Sequence, residues 1–343
     1  MIPVELRSDT MTRPTAAMRR AISEAEVGDD VWGEDPTVKR LQTKVAELLG
    51  KEAALFVPSG TMANQIALLC HTQRGDEVLL GWGSHCTSYE AGAAGAFAGI
   101  QTQELGRAGL LTAEELAAAL RPPNGHQAHQ RLVWLENSHN RGGGRVYAPA
   151  AVRAIAGVAR AAGLALHLDG ARLLNAATAC DCSPAELVAA VDSTSICLSK
   201  GLGAPAGSVL AGTRAFIERA RRARTMFGGG LRQAGILAAA GLHALDHHVR
   251  RLVEDHDNAR LLASGLAGLP GLRLDPTAVE TNIVIFDLEP PAPDAETLVA
   301  RARAAGVLVA AVGPRRVRAV THLDVNRAQC EHAISVLDHA LRP

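Results

Sequence analysis

The stretch TSICLSKGLG, residues 194–203, places Lys200 at the end of an apolar run and just before glycines at positions 201 and 203. A short apolar run bounded by glycine predicts a buried strand. A lysine at the end of such a strand is unusual, because removing an ammonium group from water is costly. Partial burial also makes an amine a usable nucleophile toward an aldehyde. The sequence therefore predicts a reactive lysine here; the alternative is a surface lysine in a turn.

The rest of the chain alternates short apolar runs with alanine-rich helical stretches, which predicts an α/β fold with a mostly parallel central sheet covered by helices. Strands are predicted at 54–57, 77–80, 131–135, 164–168 and 194–198, and helices at 36–49, 60–72, 112–120 and 149–162. After a long helical stretch at 230–252 the pattern changes to strands at 282–288, 307–312 and 316–322. We therefore expect an N-terminal arm (1–13), a large cofactor-binding domain (14–246) and a smaller α+β C-terminal domain (247–343).

Composition narrows the classes of function. The 343 residues include 35 basic and 35 acidic side chains, so no charge excess favours nucleic acid or an anionic membrane as a partner. A small metabolite is the expected ligand. The sequence has no apolar run of about 18 residues and no secretory signal, which predicts a cytoplasmic location. Its six scattered cysteines predict free thiols and no metal site.

A second chemical element is HLDGAR, residues 167–172, which also follows a predicted strand. An aspartate at this position, Asp169, could keep the pyridine nitrogen of a cofactor protonated. An aspartate at a pyridinium nitrogen together with a lysine Schiff base is the pairing that pyridoxal phosphate enzymes use. The alternative is an aspartate that caps a helix.

Two further turns could complete such a site. PSGTMAN, residues 58–64, is a strand-to-helix turn whose backbone N–H groups suit a single phosphate ester, and it matches no nucleotide-binding motif. An ordinary capped turn is the alternative. GWGSHC, residues 81–86, places His85 where an imidazole could stack on a ring and exchange protons. Otherwise Trp82 or Tyr89 stacks, and His85 is a solvated loop residue.

With these elements together, the chain resembles the threonine aldolases of the pyridoxal phosphate fold type I superfamily over nearly its whole length. The resemblance implies a homotetramer built as a dimer of dimers, with active sites shared between subunits. It rests on LRSDTMTRPT (6–15), VGDDVWGEDPTV (27–38), PSGTMANQIA (58–67), LENSHN (135–140), LHLDGARLLNA (166–176), ICLSKGLGAPAGSVL (196–210), FGGGLRQAGILAAAG (227–241), EDHDNA (254–259) and VTHLDV (320–325).

The resemblance also implies roles for individual residues. Lys200 would form the Schiff base, Asp169 would bind the pyridine nitrogen, and His85 would stack on the ring. The remaining implied residues are Gly60 and Thr61 at the phosphate, Arg232 reaching it from a neighbouring subunit, Ser8, Arg172 and Arg318 at the substrate carboxylate (Arg172 also beside the cofactor), and His126, or nearby His129, at the substrate hydroxyl. Two positions depart from the family pattern: Trp32 replaces a frequent tyrosine, and Thr225, next to Arg224, replaces a frequent lysine.

The implied reaction is the cleavage of L-threonine, L-allo-threonine and related β-hydroxy-α-amino acids to glycine and an aldehyde. In this scheme His85, or a water held by His85 and His126, removes the hydroxyl proton. A β-eliminating lyase of the same superfamily would carry the same cofactor residues, and only its products would differ. A catalytically silent protein that binds the cofactor is disfavoured, because such a protein does not need the arginine pair of Arg172 and Arg318.

Overall fold

A computed structural model describes residues 3–107, 109–122 and 125–342. The strands are β1 (Val4–Glu5), β2 (Ala53–Val57), β3 (Glu77–Gly81), β4 (Gln101–Leu105), β5 (Gln130–Glu136), β6 (Ala165–Gly170), β7 (Ser193–Cys197), β8 (Ser208–Gly212), β9 (Leu272–Arg273), β10 (Ile283–Leu288), β11 (Val307–Leu308), β12 (Ala310–Gly313) and β13 (Arg316–Val320). The helices are α1 (Ala16–Ser23), α2 (Pro36–Leu49), α3 (Gly60–His71), α4 (His85–Ser88), α5 (Ala113–Ala119), α6 (Pro149–Ala161), α7 (Leu173–Ala179), α8 (Pro184–Val188), α9 (Arg214–Met226), α10 (Gly235–His247), α11 (Leu252–Leu266), α12 (Ala295–Ala304) and α13 (Arg327–Leu341).

The central sheet has seven strands in the order β2-β8-β7-β6-β5-β3-β4. Its strands are parallel except β8, which runs antiparallel to both β2 and β7. The predicted α/β fold with a mostly parallel sheet is confirmed. The sequence interpretation missed β8, the strand by which the chain returns after Lys200, and the edge strand β4.

Apolar side chains on both faces of this sheet are buried, which explains the continuous apolar runs in the sequence. On β3, Leu79 packs into one core cluster, whereas Val78 and Leu80 pack into another on the opposite face. This alternation follows from the pleat of a strand. Helices α2, α6 and α10 cover the first face, and α3 and α9 cover the second.

A second, four-stranded antiparallel sheet has the order β12-β13-β10-β9. It packs with α11, α12 and α13 around a core of its own, to which Val4 and Leu6 also contribute. This packing supports our proposed division into an arm, a large domain and a small domain, and it attaches the arm to the small domain. Residues 1, 2, 108, 123, 124 and 343 of that division lie outside the described residues.

Two predicted elements are divided in the structure. The strand expected at 307–312 is split, because β11 pairs with β1 of the arm whereas β12 pairs with β13. The helix expected at 230–252 is α10, followed by a break and then α11. At that break the carbonyl oxygen of Leu202 lies 2.7 Å from Nδ1 of His248, the residue that caps the C-terminus of α10. The charged residues at 250–260 lie mostly within α11.

Candidate active site

The carboxyl ends of β5, β6 and β7 meet at one edge of the central sheet, where ligands bind in parallel α/β folds. Glu136 is in register with Asp169, and Asp169 with Ser195. Lys200 follows the last residue of β7 by three positions. Its carbonyl oxygen accepts hydrogen bonds from the Gly203 N–H and the Thr12 hydroxyl, both at 2.8 Å. The turn that carries Lys200 is therefore fixed by its own backbone and by the end of the N-terminal arm.

Asp169 is 1% exposed and has protein donors at both oxygens. Oδ1 accepts from the Ala171 N–H at 3.0 Å, and Oδ2 accepts from the side-chain amide of Asn64 at 2.9 Å. Burial raises the pKa of Asp169, the negative charge of Glu136 raises it further, and the positive charge of Lys200 opposes the increase. A buried carboxyl group among like charges favours a cationic partner. A protonated pyridine nitrogen supplies that charge, so the residues present fit the predicted cofactor.

His85 is the first residue of α4, and two carboxylates hold it. Its backbone N–H donates to Glu136 Oε2 at 2.8 Å, and its Nδ1 lies 2.8 Å from Glu90 Oε1. The imidazole is 30% exposed and its centroid lies 5.5 Å from that of Tyr89. Trp82, the alternative stacking residue, instead packs its ring under the Arg141 guanidinium at 4.6 Å.

Two arginines lie beside this group of residues. Arg172 donates two hydrogen bonds of 2.7 Å to the carboxylate of Asp9, and both side chains are buried. Burial alone would raise the pKa of Asp9, but the charge and hydrogen bonds of Arg172 hold it far below its usual range, and Lys200 adds to this effect. Ser8, the residue before Asp9, caps the turn at 9–11, and its hydroxyl accepts a hydrogen bond from the Thr10 N–H at 3.2 Å.

Arg318, on β13, faces the same region from the small domain. It donates to Asn140 Oδ1 at 2.8 Å and to the Arg7 carbonyl at 3.1 Å. Its buried Nε has no hydrogen-bond partner among the described residues. Burial and the nearby positive charge of Arg172 lower the pKa of Arg318. A concentration of positive charge with a free donor suits a carboxylate ligand.

The turn predicted to bind phosphate lies at the same sheet edge. Ser59 caps α3, and Gly60 and Thr61 are the first residues of this 12-residue helix. A Cβ atom on Gly60 would lie 3.5 Å from Ser208 Oγ and 3.7 Å from Cys197 Sγ, so the turn packs closely on β7 and β8. The N-terminus of α3 therefore lies near Lys200 and presents the backbone donors that an anion needs.

Two of the predicted residues do not join the site within one chain. His126 lies in the turn before β5, at the opposite edge of the sheet, and the seven residues of β5 separate the two edges by roughly 20 Å. The carbonyl of His129 accepts from the Glu77 N–H at this far edge. Arg232 is exposed and pairs with Asp29 at 3.0 Å.

The structure adds residues that the sequence interpretation did not assign to the site. Asp9 holds Arg172, Asn64 reaches Asp169, and Glu136 and Glu90 hold His85. Asp9, Asn64 and Glu136 all lie inside segments that carried the family resemblance, which was the available signal. Glu90 lies outside those segments, and its signal is a carboxylate five positions after His85.

Two kinds of feature are absent from the described residues. Among them, no set of three or more His, Cys, Asp or Glu side chains is arranged to bind a metal ion. No helix in this part of the chain is long and apolar enough to cross a membrane.

Comparison with known proteins places this fold and site. The model of the β-eliminating lyase family matches residues 5–289. Low-specificity L-threonine aldolase 1 of Arabidopsis thaliana is 43% identical, with 99% of this chain and 97% of that protein aligned. The low-specificity L-threonine aldolase of Escherichia coli K12 is 46% identical over 95% of this chain and 96% of that one. The solved structure of Leishmania major threonine aldolase superposes with a TM-score of 0.85 at 22% identity, covering 99% of this chain and all of that one.

The chain has the fold of the pyridoxal phosphate enzymes of fold type I, and its lysine and aspartate near adjacent strand ends fit that cofactor. The chain belongs to the β-eliminating lyase family and, within it, to the threonine aldolases. The family predicted from the sequence is thereby confirmed.

Proposed function

We propose that this protein is a pyridoxal phosphate-dependent aldolase. It cleaves L-threonine, L-allo-threonine and related β-hydroxy-α-amino acids between Cα and Cβ, releasing glycine and an aldehyde. The observation that carries the proposal is that Lys200, buried Asp169 and the two arginines Arg172 and Arg318 meet at one sheet edge. Relatives at 43% and 46% identity named low-specificity L-threonine aldolases support it.

The cofactor, when bound, withdraws electrons from the bond that breaks. Lys200 would hold it through its amine, and Asp169 would accept a hydrogen bond from the pyridine nitrogen. The N–H groups of Gly60 and Thr61 would bind its phosphate. Each of these residues lies at the carboxyl edge of the sheet, so one cofactor molecule could contact all of them.

The chain's own residues would then orient the substrate. Arg318, whose Nε lacks a partner among the described residues, would bind the carboxylate, and Arg172 and Ser8 would assist. Fixing the carboxylate and the amine determines which bond at Cα stands perpendicular to the cofactor ring, and that bond is the one that breaks. His85 would accept the proton of the β-hydroxyl, because it is partly exposed and is held from two sides.

For the assembly we propose a homotetramer with active sites shared between subunits. Trp32 is 75% exposed and Met226 is 71% exposed, which is unusual for such large apolar side chains and typical of a surface that a partner covers. His126 lies at the opposite edge of the sheet from Lys200, and Arg232 is exposed. Both would therefore serve the site of a neighbouring subunit. The free state of the six cysteines supports a cytoplasmic location.

The test is to identify the products formed from L-threonine and L-phenylserine. The proposal expects glycine with acetaldehyde or benzaldehyde. A β-eliminating lyase would instead release ammonia and a keto acid from the same site. Ammonia and a keto acid without glycine would contradict the aldolase assignment.

A further inference from the structure

Glu90 is a buried carboxylate within hydrogen-bond distance of three side-chain donors, one of which is the imidazole of His85. Its side chain is 0% exposed. Oε1 lies 2.8 Å from His85 Nδ1 and accepts from the amide of Asn64 at 2.7 Å, and Oε2 accepts from the amide of Gln65 at 2.7 Å. A buried carboxylate needs such donors, since its desolvation is otherwise uncompensated.

The contact with Glu90 determines which nitrogen of His85 carries a proton. An ionised carboxylate can only accept a hydrogen bond, so the 2.8 Å contact requires a proton on Nδ1. The neutral ring then has its lone pair on Nε2. Nε2 has no hydrogen-bond partner in the part of the chain that the structure describes, and the ring is partly exposed.

Asn64 connects this contact to the other end of the proposed cofactor site. The same amide nitrogen donates to Glu90 Oε1 at 2.7 Å and to Asp169 Oδ2 at 2.9 Å. Both acceptors are carboxylates, so the amide can present only its NH2 group to them. Glu90, Asn64 and Asp169 therefore form one hydrogen-bonded chain. Glu90 is the member of this chain that contacts the imidazole of His85.

We propose that Glu90 is a positioning residue that holds His85 as the Nδ1–H tautomer, so that Nε2 accepts the proton of the substrate's β-hydroxyl. This inference rests on the proposed aldolase function. As the O–H bond breaks, its proton moves to Nε2 and its electron pair forms the carbonyl of the departing aldehyde, while the Cα–Cβ bond breaks and leaves its electron pair on the glycine carbon. The ring then carries a positive charge next to the Glu90 carboxylate, and it later returns the proton to the glycine carbon or to water.

The first test is a cycle of Glu90→Ala, His85→Asn and the double variant, assayed with cofactor bound. Glu90→Ala should lower kcat by about 10- to 100-fold with KM within about threefold, because a general base contributes roughly 10²- to 10⁴-fold and only its tautomer is disturbed. In the His85→Asn background the same change should cost less than about twofold, because Glu90 acts through His85. Equal losses in both backgrounds would show a structural role and overturn the proposal.

A matched control is Glu77→Ala. Glu77 is also buried and accepts from Arg121 at 2.6 Å and Gln130 at 3.1 Å, but it lies at the opposite edge of the sheet. Its kcat should stay within about twofold of wild type even where its unfolding temperature falls. A loss in Glu77→Ala as large as that in Glu90→Ala would contradict a specific role for Glu90.

The second test needs no activity: ¹⁵N NMR of histidine-labelled protein, with the His85 signal assigned by its disappearance in His85→Asn. The wild type should show Nδ1 protonated and Nε2 unprotonated, and Glu90→Ala or Glu90→Leu should shift His85 toward the Nε2–H form. An Nε2–H tautomer in active wild-type protein overturns the role of Glu90 alone. An Nδ1–H tautomer in wild type that makes no aldehyde from either threonine isomer overturns the proposed function instead.

Discussion

The two edges of the central sheet differ in how their buried acidic side chains are arranged. At the amino edge, two buried acids beside β3 have basic partners: Glu77 pairs with Arg121 at 2.6 Å, and Asp76 with Arg131 at 3.8 Å. At the carboxyl edge, three buried acids gather instead, namely Glu90, Glu136 and Asp169, and burial, followed by the charges of Glu136 and Glu90, raises the pKa of Asp169. Paired charges stabilise or are neutral, whereas a surplus of buried charge is costly unless a ligand compensates it. The surplus therefore marks the site.

The largest expected effect is that of removing the lysine at the carboxyl edge. Lys200→Ala should lose the long-wavelength absorbance of the bound cofactor and at least about 10³-fold in kcat, because the other three lysines of the chain lie on or next to α2. Lys200→Arg should fail equally, since a guanidinium stays protonated. Turnover near that of wild type in either variant would show that the cofactor is attached to a residue other than Lys200.

Breaking the ion pair beside the site should mainly affect stability. Asp9→Asn leaves Arg172 buried without a counter-charge and should cost about 3–5 kcal/mol of unfolding free energy at pH 7. Because the folded-state pKa of Asp9 is depressed, its contribution is present above the unfolded pKa of about 4 and is lost as the pH falls below it.

Urea unfolding at several pH values checks this. The difference in unfolding free energy between wild type and Asp9→Asn should become smaller below about pH 4. The exposed pair of Asp246 with Lys44 provides the control, and Asp246→Asn should cost less than about 1 kcal/mol. A gap that does not change with pH would argue against the charge as the cause.

Neutralising the acid at the pyridine nitrogen should spare cofactor binding but not catalysis. Asp169→Asn removes a charge-assisted hydrogen bond of about 1.5–3 kcal/mol, which corresponds to a kcat lower by roughly ten- to a hundredfold or more. Steady-state kinetics with cofactor absorbance recorded in parallel measures both. A kcat near that of wild type would remove Asp169 from its proposed role.

Changing the carboxylate-binding arginine should raise KM and leave the cofactor spectrum unchanged. Arg318→Lys cannot reproduce a bidentate contact, so we expect KM for threonine to rise about tenfold or more. Arg316 lies on the same strand but pairs with Asp287 at 2.6 Å, so Arg316→Lys is the control and should leave KM unaltered. The same KM in both variants would exclude Arg318 from the site.

The smallest expected effect is stereochemical. The arginines and the amine fix three substituents of Cα, which should exclude D isomers, whereas Cβ meets no comparable constraint. Both L-threonine and L-allo-threonine should be cleaved, with less than about two hundredfold between them and the allo isomer favoured. Values of kcat/KM for the four stereoisomers decide this. Comparable turnover of a D isomer, or absolute selectivity for one L form, would contradict it.

The sequence was sufficient for five of the seven strands of the central sheet, β2, β3, β5, β6 and β7, because strands buried on both faces leave continuous apolar runs. It was also sufficient for Lys200 and Asp169, whose positions at strand ends are local. The division of 307–312 was not predictable locally, since it depends on pairing with β1 some 300 residues earlier. The same holds for Arg172, whose contact with Asp9 spans 163 residues, and for the location of His126 at the far edge.

The most direct test is to reduce the cofactor-bound protein with borohydride and map the modified lysine. The chain contains four lysines, and three lie on or next to α2: Lys39, Lys44, which pairs with Asp246, and Lys51, which donates to the carbonyls of Val188 and Val191 at 2.7 Å. Our account predicts the cofactor on Lys200 alone. Recovery of the label on Lys39, Lys44 or Lys51, with Lys200 unmodified, would contradict it.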